Sequence, residues 1–360
     1  MAAAMVAAGC SSDDSDEDAT ASESSEGGAA DESTIQARPW EQVTPGGDCQ
    51  CSDGSEFSFW VREADPAKVV LFFQGGGACF SAETCSPGDG ATAKLTTGPE
   101  DNPTGGDGVW DFDNPQNPFA DHSFVFVPYC TGDVHVGNKT QEYSPEVTVQ
   151  HKGYVNGSSA LDHMVETFAD AHQVVVAGES AGSIASPFYA GLVADRLPDA
   201  EITVLADGSG AYADVPSINA AIGSLWGTES SIPDWPETQG VTVEDWSIPG
   251  GFVYSGRHAP DITFARHDYA YDAAQKMYVE LSGLPGADDL LRVTDANEHQ
   301  IEDAGVDLAS YIAPGDGHTV LSQEAFYTEE VAGVALLDWV TDLVEGRPVD
   351  DVHCEQCGRP

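Results

Sequence analysis

A serine between two glycines is the first feature with chemical potential, in the stretch GESAG at residues 178–182. The β-branched run VVV precedes it and the apolar stretch AGSIASPFYAGLVADRL follows it. In a strand–turn–helix setting, G-x-S-x-G forms a nucleophile elbow, because the glycines permit a sharp turn that lifts the serine hydroxyl above the sheet. The next amide then lies at a helix N-terminus and can donate to an anion. We therefore predict Ser180 as a nucleophile.

A run of three glycines about one hundred residues earlier is the second such feature. Residues 75–77 in FFQGGGACF follow an apolar run that predicts a buried strand. Glycines free the backbone to direct N–H groups toward a substrate oxygen, as an oxyanion hole requires. The alternatives are a phosphate-binding loop or a plain turn, but neither a Walker lysine nor G-x-G-x-x-G follows. This loop is therefore predicted to supply oxyanion donors.

A nucleophilic serine also needs a general base, and the sequence offers ten histidines. In this type of fold the base follows the last strand, after both the nucleophile and the acid. His318 in YIAPGDGHTVL meets that requirement. His299 lies in an acidic stretch without a strand before it, and His353 lies in a cysteine-bearing tail. We therefore predict His318 as the base.

Three aspartates compete for the role of the acid that orients the base. Asp207 ends one predicted strand, whereas Asp268 and Asp272 follow the next one, in ARHDYAYDAAQ. In folds with the chain order Ser, Asp, His, the acid usually follows the seventh strand, which favours the stretch from Asp268 to Asp272. The residues alone leave all three open.

Apolar runs alternate with amphipathic stretches, which predicts an α/β fold with a mostly parallel sheet flanked by helices. Several runs are apolar without alternation, as in strands that are covered on both faces. The predicted strands are residues 57–62, 68–74, 123–129, 173–179, 201–207, 261–266 and 308–314. The predicted helices are residues 158–171, 181–196, 269–282 and 325–344.

Some fifty residues between about 208 and 260 are rich in Gly, Pro and Trp. So long a connection in a compact domain is usually functional, so we predict a loop or cap insertion over the site. Its Trp226, Trp235 and Trp246 either line that site or belong to the core beneath a loop.

The chain resembles the pectin acetylesterase/Notum family of carboxylic ester hydrolases. The resemblance runs from about residue 56 to about residue 320, through the motifs QGGGACF, ETC, PYCTGDVHVGN, AGESAGS, LADGSG, YDAAQ and DGH. It implies an α/β-hydrolase-like fold, a Ser180–Asp272–His318 triad and no metal or organic cofactor. It also implies that the amides of Gly76, Gly77 and Ala181 form the oxyanion hole.

Some positions depart from the pattern of Notum-like sequences. Those sequences have Trp at the positions of Gly77 and His135, and Gly at the position of Ser183. Substrate preference is therefore not carried over from the resemblance. We expect Asp133 and His135 to line the cleft, the alternative being a loop-stabilising aspartate and a surface histidine.

The charge balance restricts the partners, because 61 acidic residues against 13 basic ones give a formal net charge of −48. Nucleic acid and anionic membrane surfaces would be repelled, and so would polygalacturonate unless salt screens it. We therefore expect a monomer that deacetylates a neutral O-acetylated glycan or a small ester. The alternatives are a fatty-acyl esterase of Notum type and a surface-anchored binding protein without catalysis.

Residues 1–10 are expected to be a signal remnant in which VAAGC, residues 6–10, resembles the lipobox of a bacterial lipoprotein, with Cys10 as the lipidated residue. The alternative is an alanine-rich tail. Residues 11–40 are acidic and rich in Ser and Gly, which predicts a disordered tether. We expect residues 41–360 to form one catalytic domain, outside the cytoplasm, attached to a membrane only through Cys10.

Seven further cysteines suggest disulfides in an exported protein. Cys79 and Cys85 are expected to pair with each other. The CQC motif, Cys49 and Cys51, is expected to pair with the CEQC motif, Cys354 and Cys357, which leaves Cys130 free. The alternative is a zinc site formed by the CxC and CxxC motifs.

Overall fold

The computed structural model describes residues 37–87, 92–355 and 357–358. This part of the chain contains thirteen strands and seven α-helices. The strands are β1 (Glu41–Val43), β2 (Phe59–Arg62), β3 (Asp65–Phe73), β4 (His122–Val127), β5 (Lys139–Ser144), β6 (Val147–His151), β7 (Gln173–Glu179), β8 (Glu201–Asp207), β9 (Thr263–Tyr269), β10 (Leu308–Ala313), β11 (Glu330–Val331), β12 (Val334–Ala335) and β13 (Val352–His353). The helices are α1 (Gly153–Thr167), α2 (Ala181–Arg196), α3 (Pro216–Trp226), α4 (Ile248–His258), α5 (Ala273–Ser282), α6 (Leu290–Asp303) and α7 (Leu336–Val344).

Nine strands form one central sheet in the order β1-β2-β4-β3-β7-β8-β9-β10-β13. From β4 to β13 all neighbours are parallel, and β2 pairs antiparallel with β1 and β4. Alternate residues of β3 belong to two separate cores, one on each face of the sheet. Because both faces are covered, the strands need apolar residues at every position. The predicted mostly parallel α/β fold is confirmed.

The carboxyl ends of five adjacent strands, β3, β7, β8, β9 and β10, lie at the same edge of the sheet because these strands are parallel. Ligands of open α/β sheets bind at this edge. The loops that leave it include the glycine run, the elbow at Ser180 and the segment that carries His318. The topology thus brings together residues as far apart in the sequence as Gly75 and His318.

The predicted helix at residues 325–344 is wrong in its first half. Only α7 is α-helical there; a short 3₁₀ helix (Glu324–Tyr327) and then the hairpin of β11 and β12 precede it. Ala332 and Gly333, in the turn of that hairpin, have φ values of +51° and +83°. Two consecutive left-handed residues are incompatible with a right-handed helix and typical of a two-residue hairpin turn.

The insertion between residues 208 and 260 contains two helices that we did not predict, α3 and α4. A third unpredicted helix, α6, precedes β10. Trp226 and Trp235 are buried, and Trp246 packs edge-on against Phe188 of α2. The predicted insertion is therefore present as helical structure that packs against the main body.

The disulfides correct our prediction for five of the seven cysteines. The structure pairs Cys51 with Cys130, and Cys354 with Cys357, so the CQC and CEQC motifs are not joined and Cys130 is not free. Cys49 is the free and buried cysteine of the described residues. These disulfides rule out the zinc site, which needs four thiolates. The predicted pair of Cys79 and Cys85 is present.

The predicted lipidation site at Cys10 and most of the predicted tether lie outside the described residues. Residues 37–40, which we assigned to the tether, belong instead to the folded part, because the Trp40 ring packs against Trp110, Phe112 and Phe124. Within the described ranges, none of the helices has the length and apolar character needed to span a membrane.

Candidate active site

Ser180 lies on a sharp turn between β7, which ends at Glu179, and α2, which begins at Ala181. Its φ of +51° and ψ of −118° lie outside the regions that non-glycine residues normally occupy. Its N–H donates a 2.7 Å hydrogen bond to the main-chain oxygen of Asp207. A Cβ atom on Gly182 would lie 2.0 Å from the Phe73 oxygen, so the close packing of elbow and strand requires glycine there. The elbow predicted from G-x-S-x-G is present.

His318 and Asp272 are hydrogen-bonded, with 2.7 Å between His318 Nδ1 and Asp272 Oδ2. Asp272 is fully buried, and its Oδ1 atom accepts hydrogen bonds from the N–H groups of Ala274 and Gln275. Asp272 is therefore the N-cap of α5, so the helix start that we placed at residue 269 belongs at Ala273.

The pKa of His318 lies above its ordinary value. Burial alone would lower this pKa, but the hydrogen bond to Asp272 and the charges of Asp272, Asp207 and Glu179 outweigh burial. Negative charges near an imidazole favour its protonated form. The surroundings of His318 are therefore suited to stabilise an imidazolium.

The two alternative acids have other partners. Asp207 accepts hydrogen bonds from the amides of Val320 and Leu321 and lies 2.8 Å from His267 Nδ1. Asp268 accepts from Gly210 N–H and from the Gln275 side chain, and its Oδ2 lies 2.8 Å from the Arg266 Nε atom.

The two alternative bases lie in other surroundings as well. His299 is an exposed residue of α6 whose Nδ1 contacts the Asp295 main-chain oxygen at 2.6 Å. His353 is an exposed residue of β13. Among the residues that the structure describes, the imidazole next to Asp272 is that of His318.

The glycine loop packs directly against the elbow. A Cβ atom on Gly75 would lie 3.0 Å from the Ser180 Cβ. Gly76 and Gly77 have φ values of +155° and +74°, and a Cβ on either would collide, with the Tyr129 ring and with the Tyr278 hydroxyl respectively. Glycine is therefore required at both positions.

A pocket of about 160 Å³ opens beside Ser180. Two predicted oxyanion residues, Gly77 and Ala181, line it together with Ser180, whereas Gly76 does not belong to the lining. The rest of the wall is mostly apolar and comes from α2, the insertion and the turn after α5: Ile184, Phe188, Ile218, Ile222, Trp226, Trp246 and Leu284. The described residues of the lining include no side chain with a formal charge.

Asp133 and His135 do not line this pocket, contrary to our prediction. Both are buried: Asp133 accepts from Thr131 Oγ and Gly153 N–H, and His135 Nε2 lies 2.9 Å from the Gln74 main-chain oxygen. Burial raises the pKa of Asp133 to about 6 and lowers the pKa of His135 to about 4. The pocket is lined instead by the residues on either side of His135, which are Val134 and Val136.

The sequence analysis missed the helix that supplies part of the pocket wall. Ile218, Ile222 and Trp226 of α3 all line the pocket, at a spacing of four residues. A repeat of apolar residues at that spacing marks one face of a helix. This signal was present in the sequence but lies within a segment that we read as a loop.

Comparisons with known proteins agree with this architecture. The family model for pectinacetylesterase matches residues 42–226, just over half of the chain. Palmitoleoyl-protein carboxylesterase notum2 of Xenopus laevis is 30% identical over 143 residues, which is 37% of this chain and 27% of the relative. Pectin acetylesterase 5 of Arabidopsis thaliana is 27% identical over 175 residues, or 47% of this chain and 40% of the relative.

Longer matches extend over most of the chain. Palmitoleoyl-protein carboxylesterase notum1 of Xenopus laevis is 24% identical over 335 residues, covering 79% of this chain and 63% of the relative. The chain thus spans between about a quarter and two thirds of the lengths of these relatives. A crystal structure of the Wnt deacylase Notum from Drosophila superposes with a TM-score of 0.62 at 16% identity, over 89% of this chain and 99% of that one. The chain therefore belongs to the pectin acetylesterase family, together with the carboxylesterases of Notum type.

Proposed function

We propose that this protein is a serine carboxylic ester hydrolase with Ser180 as nucleophile, His318 as general base and Asp272 as the acid that orients the base. One observation carries the proposal. The hydrogen-bonded pair of His318 and the buried Asp272 lies at the same edge of the sheet as Ser180, which occupies a strained elbow. Membership of a family of carboxylesterases supports it. Residues 41–360 are the proposed catalytic domain.

The hydrogen bond to Asp272 favours the tautomer in which His318 Nδ1–H is the donor, so the Nε2 lone pair is available to the Ser180 proton. The serine oxygen then attacks the ester carbonyl, and amides of Gly76, Gly77 and Ala181 stabilise the oxyanion. His318 gives the proton to the departing alcohol, which leaves an acyl-enzyme. Water, deprotonated by the same imidazole, releases the carboxylic acid and restores Ser180.

The pocket favours an acyl chain longer than acetyl, which is the alternative that the sequence analysis left open. A group the size of a water molecule needs about 10–15 Å³ of cavity volume. The pocket of about 160 Å³ therefore has room for roughly ten such groups, whereas an acetyl ester places only one methyl group in it. The apolar wall stabilises an acyl chain by removing it from water, at about 0.8 kcal/mol per buried CH₂. The described residues of the lining carry no charged side chain and so give no counter-ion for a polygalacturonate, and we therefore propose a neutral ester as substrate.

The three disulfides support a location outside the cytoplasm, because such bonds persist in oxidising compartments. Lipidation at Cys10 and a monomeric state belong to the same proposal. Mass spectrometry of the mature N-terminus and size-exclusion chromatography with light scattering test these two points.

Hydrolysis of a series of nitrophenyl esters, from acetate to octanoate, tests the proposed function. We expect Ser180→Ala to lose at least 10³-fold in kcat, and the buried control Ser255→Ala in α4 to retain wild-type activity. Undiminished turnover by Ser180→Ala overturns the proposal. Wild-type protein that binds these esters without hydrolysing them favours the non-catalytic alternative. A kcat/KM higher for acetate than for butyrate and hexanoate, together with acetyl release from acetylated xylan, favours the acetylated glycan instead.

A further inference from the structure

Two carboxylates outside the proposed triad, the buried Asp207 and the partly buried Glu179, bind three consecutive backbone amides. Asp207 Oδ2 accepts hydrogen bonds from the N–H groups of Val320, at 2.7 Å, and Leu321, at 3.0 Å. Glu179 Oε1 accepts from the N–H of Ser322 at 2.8 Å. These three amides are therefore firmly held.

The anchored segment begins two residues after His318. Thr319, which lies between them, has a φ of +60°, a conformation that a β-branched residue rarely adopts and that persists only where its surroundings impose it. On the other side of His318, the main-chain oxygen of Asp316 accepts a 3.2 Å hydrogen bond from Ala273 N–H. The turn that carries the imidazole is thus fixed at both ends, and the two carboxylates supply the fixation at one of them.

Both acids also belong to the nucleophile elbow. Glu179 is the residue before Ser180, and the main-chain oxygen of Asp207 accepts the Ser180 N–H. The same two residues therefore contact the turn that carries the nucleophile and the turn that carries the base. A displacement of either acid changes the distance between the two turns.

We infer that Glu179 and Asp207 are positioning residues that fix the His318 turn relative to Ser180. This inference rests on the proposed function, because it assigns to the two acids a part in the reaction of Ser180 and His318. Neither residue was given such a role by the sequence, in which Glu179 is the variable position of G-x-S-x-G. In this chain, the residue at that position contacts a loop 143 residues away.

The two acids, Glu179 and Asp207, have different charged neighbours. Asp207 faces the buried His267, whose other ring nitrogen lies 2.9 Å from Glu329. Burial alone would lower the pKa of His267, but the two carboxylates raise it to about 10. Glu179 faces Asp207 and His318, and its pKa is raised to about 7 by burial and by the charge of Asp207. When Glu179 is ionised, its charge favours the protonated form of His318.

Substitution of Glu179 in the full chain tests the inference. Glu179→Ala removes the acceptor for Ser322 N–H, so we expect kcat for nitrophenyl butyrate to fall at least tenfold with KM within twofold, because misplacement of the base affects the chemical step. Glu179→Gln keeps an acceptor and removes the charge. We expect it to retain at least a third of the wild-type kcat, while the acid limb of kcat/KM against pH moves to lower pH.

The matched control is Glu298→Gln, which neutralises another buried carboxylate, one that accepts a hydrogen bond from Ser310 rather than from residues 320–322. It is expected to lower the melting temperature without moving the pH profile. Wild-type kcat in Glu179→Ala, or an unmoved acid limb in Glu179→Gln, overturns the inference. If Ser180→Ala is inactive while Glu179→Ala is fully active, only the positioning role fails. If Ser180→Ala is active, the proposed function itself fails.

Discussion

The Oδ2 atom of Asp272 lies 2.7 Å from His318 Nδ1, while the Oδ1 atom of the same carboxylate caps helix α5. One side chain thus orients an imidazole and begins a helix. Because the helix start fixes the carboxylate, the orientation of the ring depends on a regular backbone element rather than on a mobile side chain.

Asp272→Asn is expected to separate catalysis from stability. The asparagine oxygen still accepts the helix-capping N–H groups, so the melting temperature should change little, whereas kcat should fall by about 10³–10⁴-fold because the imidazole loses its charged partner. Steady-state kinetics with nitrophenyl butyrate and thermal unfolding of the same samples measure both effects. The control is Asp268→Asn, which should lose stability and keep kcat within tenfold of wild type. The reverse result would assign the acid to Asp268.

The sequence predicted what depends on local pattern and missed what depends on tertiary contacts. Strands β7 and β8 have the predicted bounds, because each is a mostly apolar run, as expected of a buried parallel strand, and ends at an acidic residue, Glu179 or Asp207. The elbow at Ser180 also follows from its immediate neighbours.

By contrast, the role of Asp272 came from a resemblance rather than from its own surroundings, and the pairing of Cys51 with Cys130 joins residues 79 positions apart. The contact between Glu179 and Ser322 spans 143 positions. No local periodicity encodes such contacts, because they exist only once the sheet has formed.

Ile222→Trp is expected to shorten the acyl chain that the enzyme accepts. Ile222 lines the pocket from α3, so a larger side chain at that position occupies space that an acyl chain would fill. The ratio of kcat/KM for hexanoate to that for acetate should fall by about tenfold, since one or two methylenes in an apolar pocket change discrimination by that order. Ala221→Trp is the matched control, because it adds the same ring to an exposed neighbouring position on the helix. An unchanged ratio in Ile222→Trp would show that the acyl chain binds elsewhere.

His267 is expected to make the free energy of unfolding fall as the pH rises from neutral to alkaline. Its pKa in the folded protein is about 10, against about 6.5 in an unfolded chain. The stabilisation from its protonated form is complete below about pH 6.5, declines as the pH rises and is lost above about pH 10, with a slope of at most about 1.4 kcal/mol per pH unit. Urea unfolding from pH 6 to 10.5 measures this slope. His267→Gln should lack this component, and equal slopes for both proteins would contradict the prediction.

Two of the disulfides are expected to differ in how much they raise the free energy of unfolding. Cys51–Cys130 closes a loop of 79 residues, so its loss in the variant Cys51→Ala/Cys130→Ala should lower the free energy of unfolding by about 4.5 kcal/mol from chain entropy. Cys79–Cys85 closes only six residues, for which the same relation gives about 2 kcal/mol. Cys49→Ala, which removes a free buried cysteine, is the control for lost packing. Urea unfolding without reductant compares the three variants.

The Cys79–Cys85 disulfide is expected to affect substrate binding in the pocket. The main-chain oxygen of Cys79 accepts a 2.8 Å hydrogen bond from the indole N–H of Trp226, which lines the pocket at the end of α3. Loss of the Cys79–Cys85 bond frees this loop, so Cys79→Ala/Cys85→Ala should raise KM for hexanoate severalfold more than Cys51→Ala/Cys130→Ala does. Assays at 15 °C, where both variants remain folded, separate this effect from unfolding. Equal KM values in the two variants would mean that the α3 wall is held by its own packing and not by the disulfide loop.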